Sequence, residues 1–204
     1  GRSGVDIACA GGRIAAMGPA LGERGGREID AVGRLVSPPF VDPNFHLDAT
    51  LSFGRPRLNV SGTLLEGIEL WGELKAVQTA REIVERALRY TDLAVAQGLL
   101  AIRSHVDVCG TLTGVEALLE VRERVRDAID LQLVAFPQDG LYRSPGAEAN
   151  LLRALDLGVD VVGGIPHFER TMAEGAASVE RLCAVAAERG LMVDLHCDET
   201  DDPM

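Results

Sequence analysis

A repeat constrains this fold more than any other feature of the chain. Short apolar runs end in polar residues, and helical stretches with one apolar face separate them. The runs are PPFVDPNFH, LLAIRSHVDV, IDLQLVAFPQ, VDVVGGIPHF and LMVDLHCDE. Between the first two lies AREIVERALRYTDLAVAQG, with Ile83, Val84, Ala87, Leu88 and Leu93 at helical spacing and Gly98 as a stop. TGVEALLEVRERV, EANLLRALDLG and SVERLCAVAAERG repeat the design. Alternating strand and helix predicts βα units on a parallel sheet. LQLVAF and VDVVGGI are continuous apolar runs, as strands buried on both faces require. The units recur about every 30 residues, the length of one βαβ step. A doubly wound open sheet would carry a Gly-rich phosphate loop after its first strand, and none follows PPFVDPNFH. The expected class is therefore α/β, the first five or so strands of a (β/α)8 barrel, a fold that typically takes about 250 residues.

Residues 1–36 have a different texture. IACAGGRIAAM reads as a β-hairpin with Gly-Gly at the turn, and REIDAVGRLVSPPF as a further β-like run. We assign 1–36 to part of a small β module and 37–204 to the N-terminal portion of the barrel. The chain starts at Gly1 without Met and stops at Met204 after acidic residues, as expected of a piece of a longer protein.

With 204 residues, 47% of them hydrophobic, the chain can bury a sizeable core. Its formal charge of −11 argues against nucleic acid or an anionic membrane as partner, since both need a basic face. Cys9, Cys109, Cys183 and Cys197 include no CxxC pair, which fits a reducing cytoplasm. No long uninterrupted apolar run predicts a membrane span, and no charged-then-apolar leader predicts secretion.

The polar residues gather where the runs end. The first run offers Asn44, His46 and Asp48, the second His105 and Asp107, the third Gln138 and Asp139. The fourth offers His167 and Glu169, and the fifth His196, Asp198 and Glu199. All four histidines thus fall on the rim where barrel enzymes build their sites. Side chains alternate along a strand, so Asn44 and His46 point the same way and together can grip one metal ion. His196 would approach that ion from the fifth strand, and imidazole suits Zn, Fe and related divalent ions. Glu199 lies three residues past His196, where a carboxylate can shuttle protons.

PPFVDPNFHLDAT, SGTLLEGIELW, RSHVDV, IDLQLVAFPQDG, GVDVVGGIPHFE and VDLHCDE together resemble the cytosine deaminase branch of the amidohydrolase superfamily. The resemblance implies a metal-centred barrel with a small β-sandwich built from both chain ends. It also implies a hydrolytic deaminase of cytosine or a related amino-substituted heterocycle. The family's HxH pair falls on Asn44 and His46, and its next histidine ligand on His196. Its HxxE glutamate falls on Glu199, where it protonates a ring nitrogen. The glutamine that grips the amide-like edge of the base falls on Gln138, and Leu64 matches a residue that contacts the base through its backbone. One divalent metal is implied, Zn or Fe ahead of Mn, with a small heterocyclic substrate. The family often forms homo-oligomers.

The pattern departs from the family in two ways. Asn44 stands where the family has a histidine, and an amide oxygen is a weaker donor to Zn or Fe than imidazole. A turn-forming Asn after Pro43 accounts for the residue equally well. The family's later histidine and aspartate would lie beyond Met204. Two rivals therefore stay open. One is another amidohydrolase reaction, on an alkylamino-triazine or a cyclic amide. The other is a degenerate barrel that only binds a heterocycle. His105 and His167 read as structural groups or as groups that orient a neighbour, and Trp71 as a core residue of a helix. Arg55 and Arg57, in the loop after the first run, read either as cover for the pocket or as solvated charges.

Overall fold

The structure is a computed structural model and describes residues 4–22 and 24–197. The chain forms two compact units, Gly1–Pro38 and Pro39–Met204.

The first unit is built on an antiparallel hairpin, β1 (Asp6–Ala10) and β2 (Arg13–Gly18). Its turn is Gly11–Gly12, with φ of 56° and 73°. A two-residue turn with both φ positive matches the twist of the flanking strands, and glycine adopts it without penalty. The run REIDAVGRLVSPPF does not form a strand before Phe40. Its Ile29, Val32 and Leu35 are exposed, and no described strand lies alongside. β-propensity is expressed only where a neighbour offers a surface to pack on, and here none does.

The second unit carries a five-stranded parallel sheet in the order β3 (Phe40–Phe45), β4 (Leu99–Asp107), β5 (Asp130–Phe136), β6 (Val161–Gly164) and β7 (Met192–Leu195). The helices α1 (Leu64–Lys75) and α2 (Ala80–Ala96) join β3 to β4. The later crossovers are α3 (Thr113–Val125), α4 (Ala147–Asp156) and α5 (Met172–Arg189). These are five successive strands of a (β/α)8-type barrel. The sheet curls strongly. His46 directly follows β3 and His196 directly follows β7, at the two sheet edges, yet their ring centroids are 5.6 Å apart. In a flat sheet, four strand spacings of about 4.8 Å would separate those edges by roughly 19 Å.

Strand sequence explains the core. Leu133, Val134, Ala135 and Phe136 of β5 are fully buried, as a strand with both faces covered must be. Ile83, Ala87, Leu118, Leu151 and Leu182 of the helices are buried as well. Thr79 and Glu82 form the capping box that the T-x-x-E spacing encodes. Leu93, expected on the buried stripe of α2, is exposed; the stripe runs through Ile83, Val84, Ala87, Thr91 and Ala94, and Leu93 falls outside it. Among the described residues, no helix is long and apolar enough to cross a membrane.

Candidate metal centre

Three imidazoles meet at the C-terminal mouth of the sheet. His46, His105 and His196 each offer a nitrogen, and these atoms lie within 4.8 Å of one another. His46 follows β3, His105 lies near the end of β4, and His196 follows β7, where its N–H donates to the Gly164 carbonyl at 2.9 Å. The Phe136 ring packs against all three imidazoles, with centroids 4.5 Å from His196, 5.3 Å from His105 and 5.6 Å from His46. It walls the cluster with an apolar face.

The electrostatics keep His46 and His105 neutral. Burial, then the neighbouring His105 and His196, push the His46 pKa down to about 3. Burial and His196 also lower His105, while Asp194 pulls the other way. Both His105 nitrogens are buried without a hydrogen bond, and Nε2 stands 3.4 Å from Asp194 Oδ1. Asp194 accepts from Arg103 Nη1 at 2.7 Å; its burial favours the acid, but Arg103 and His105 prevail and hold its pKa below the usual carboxylate range. Imidazole nitrogens gathered this closely, with His46 and His105 held neutral, form a donor set that Zn, Fe and Mn accept. The residues present therefore fit a divalent metal.

Asn44 belongs to this group. Its Oδ1 lies 3.1 Å from His196 Nε2. That separation suits a hydrogen bond, and it also suits two donors each about 2.1 Å from one shared ion. Gln138 follows Phe136 by two residues and is half-buried, with its backbone N–H bonded to the Phe136 carbonyl at 3.0 Å. Leu64 opens α1 behind the cap residue Thr63 and is exposed. Glu199 and Asp198 lie outside the described residues. His167 stands apart from the cluster, in a short 3-10 turn after β6, with a buried Nδ1 that makes no hydrogen bond.

Sequence reasoning treated His105 as a supporting group, whereas the structure brings it into the cluster. The signal was present: His105 and Asp107 repeat the i, i+2 spacing of Asn44 and His46 on the adjacent strand. It also treated Trp71 as core. Trp71 is instead half-buried and donates from Nε1 to Asp107 Oδ2 at 2.7 Å. Lys75, one turn along α1, bridges Asp107 at 2.8 Å and Asp139 at 2.5 Å. Burial disfavours its charge, yet these carboxylates outweigh burial and raise its pKa. The buried Asp48 accepts from the Asp107 N–H at 3.0 Å, and burial raises its pKa to about 7. Asp48, Trp71, Lys75 and Asp107 line a cavity of about 220 Å³ beside α1. Arg55 pairs with Glu82, and Arg57 with Glu66 and Glu73, so both arginines anchor the loop before α1 to helix faces.

The amidohydrolase family profile matches residues 27–204. The chain belongs to the amidohydrolase family. A 5-methylcytosine deaminase from Klebsiella pneumoniae, solved with 5-fluorocytosine, superposes with a TM-score of 0.90 at 44% identity; the match covers 97% of this chain and 49% of that one. N-isopropylammelide isopropylaminohydrolase from Burkholderia multivorans superposes with a TM-score of 0.77 at 30% identity, covering 94% of this chain and 49% of that one. N-isopropylammelide isopropyl amidohydrolase of Pseudomonas sp. (strain ADP) is 33% identical over 180 residues, 83% of this chain and 43% of that protein. The chain thus spans about half the length of these amidohydrolases.

Proposed function

We propose that the protein containing this chain is a metal-dependent hydrolytic deaminase of cytosine or a close amino-substituted heterocycle. The observation that carries this reading is the imidazole cluster, set in a chain 44% identical to a 5-methylcytosine deaminase. The alkylaminohydrolase relatives stand further away, at 33% and 30%. An amino-pyrimidine therefore comes first as substrate.

His46 and His196 hold one divalent ion in this reading, with Asn44 and His105 beside them; Zn or Fe fits best, and Mn follows. Such an ion supplies activated water at neutral pH. His46 enters as the neutral base because its pKa lies near 3, far below working pH. Gln138 holds the amide-like edge of the ring and sets its orientation. The Leu64 backbone contacts the base, and Glu199 delivers a proton to the ring nitrogen next to the amine-bearing carbon. Water adds to that carbon, its bond to the amine breaks, and the amine leaves as ammonia. Residues 1–36 form part of a small β-sandwich, and residues 37–204 form the N-terminal portion of the barrel. The four cysteines without a disulfide support a cytoplasmic location.

The test is ammonia release from cytosine, 5-methylcytosine and N-isopropylammelide by full-length protein restored with Zn, Fe or Mn. Turnover of the pyrimidines ahead of the triazine is expected. No turnover of any amino-substituted heterocycle would end the deaminase reading.

A further inference from the structure

The turn that carries Gln138 is held in an unusual way. After β5 the chain runs through Pro137, Gln138, Asp139 and Gly140 into three residues whose backbone N–H groups converge on one side chain. Leu141 N–H donates to Glu169 Oε1 at 2.6 Å, and Arg143 N–H to Oε2 at 2.9 Å. Tyr142 N–H reaches both oxygens at 3.2 Å. Glu169 follows the short turn after β6 and is only 8% exposed. Successive backbone N–H groups arranged in this way form an anion-binding nest, and here the anion is built into the chain.

Its neighbours reinforce the grip. Arg170 donates to the carbonyls of Tyr142 and Arg143 at 3.2 and 3.0 Å. Arg143 donates to the Phe168 carbonyl at 3.2 Å, and its guanidinium lies 4.4 Å over the Phe168 ring. Gly140 has φ of 89°, and a Cβ there would stand 2.9 Å from Glu169 Oε2. The backbone approaches the carboxylate closely because no side chain intervenes. On its other side the turn is fixed by the Gln138 N–H bond to Phe136, whose ring touches all three imidazoles.

We infer that Glu169 is a positioning residue for Gln138: by filling the nest at 141–143 it sets where the Gln138 side chain stands relative to the imidazole cluster. The inference rests on the substrate-orienting role proposed for Gln138. A carboxylate is needed, because a carboxamide would turn its NH2 toward N–H donors that require acceptors. Apart from the turn it fixes, Glu169 needs no contact with substrate.

The test uses full-length, metal-restored protein and a double-mutant cycle on cytosine turnover. Glu169→Gln is expected to raise KM about tenfold with a smaller change in kcat, and to change KM less than twofold when Gln138→Ala is already present. Equal effects in both backgrounds would show a general structural role and overturn the inference. Amide hydrogen exchange supplies a readout independent of turnover. In Glu169→Gln the N–H of Gln138, whose acceptor is Phe136 and not Glu169, should exchange at least tenfold faster. Unchanged protection there overturns the inference even if the wild type is active. A wild type that turns over no base ends the deaminase reading alone, and faster exchange at Gln138 still upholds the mechanical link. Should Glu169→Gln not fold, Arg170→Met removes the two bonds to carbonyls 142 and 143, together with the exposed ion pair to Glu174 at 3.7 Å, and leaves Glu169 in place. It should move KM and exchange in the same direction, by about threefold; no movement of either overturns the inference.

Discussion

Asn44 Oδ1 and His196 Nε2 stand 3.1 Å apart although they come from opposite edges of the sheet. The pair spans the two edges of the curled sheet and joins a neutral amide oxygen to an imidazole. An amide oxygen is the weaker donor for Zn or Fe. Asn44→His is expected to tighten binding of Zn by roughly tenfold, about 1.4 kcal/mol, measured by competition with a chelator of known affinity. Unchanged or weaker affinity in a folded variant would place Asn44 outside the ligand set and leave it as the hydrogen-bond partner of His196.

Lys75 ties α1 to the ends of two strands through Asp107 and Asp139. Asp107 is 6% exposed, so its carboxyl group depends on protein partners rather than on water. Removing one partner of a fully buried pair costs about 3–5 kcal/mol. Lys75 is only half-buried, and Trp71 and the Cys109 N–H continue to serve Asp107. Lys75→Met should therefore cost less, about 1–3 kcal/mol, read from denaturant midpoints at constant slope. A cost below about 0.5 kcal/mol, the range of ordinary surface changes, would show that the bridge contributes nothing.

Cys109 is buried, and burial, then the Asp107 carboxylate, push its thiol up to about 12. The thiolate is the nucleophile, so a raised pKa and low exposure both suppress reaction. At pH 8, iodoacetamide should modify the exposed Cys9 and Cys183 and spare Cys109 until denaturant is added. The sign of the linkage is fixed by the same shift. The unfolded thiol ionises near 9 and the folded one does not, so the Cys109 contribution to stability is complete below pH 9 and declines as pH rises toward 12. Wild type should lose more stability than Cys109→Ala between pH 9 and 11. Rapid labelling of Cys109 in the folded protein would contradict this.

The βα rhythm of the chain was legible because each strand is a local apolar run and each helix a local stripe. The Gly11–Gly12 turn was legible for the same reason: a few adjacent residues encode it. REIDAVGRLVSPPF misled because a strand needs a partner, which no local pattern supplies. Leu93 misled because one apolar residue beside a stripe looks like part of it. The rim histidines could be placed at strand ends, but which of them converge depends on how far the sheet curls. That curl brings His105 beside His46 and His196 while His167 stays apart. The contacts of Glu169 with the backbone at 141–143 are set by the packing of two loops that share no sequence signature.

The most direct test follows cytosine deamination while divalent metal is returned to chelator-stripped full-length protein. The account predicts negligible uracil formation without metal, a rise in proportion to added Zn, Fe or Mn, and saturation near one equivalent per chain. A rate that ignores metal, or no uracil at any loading, would contradict it.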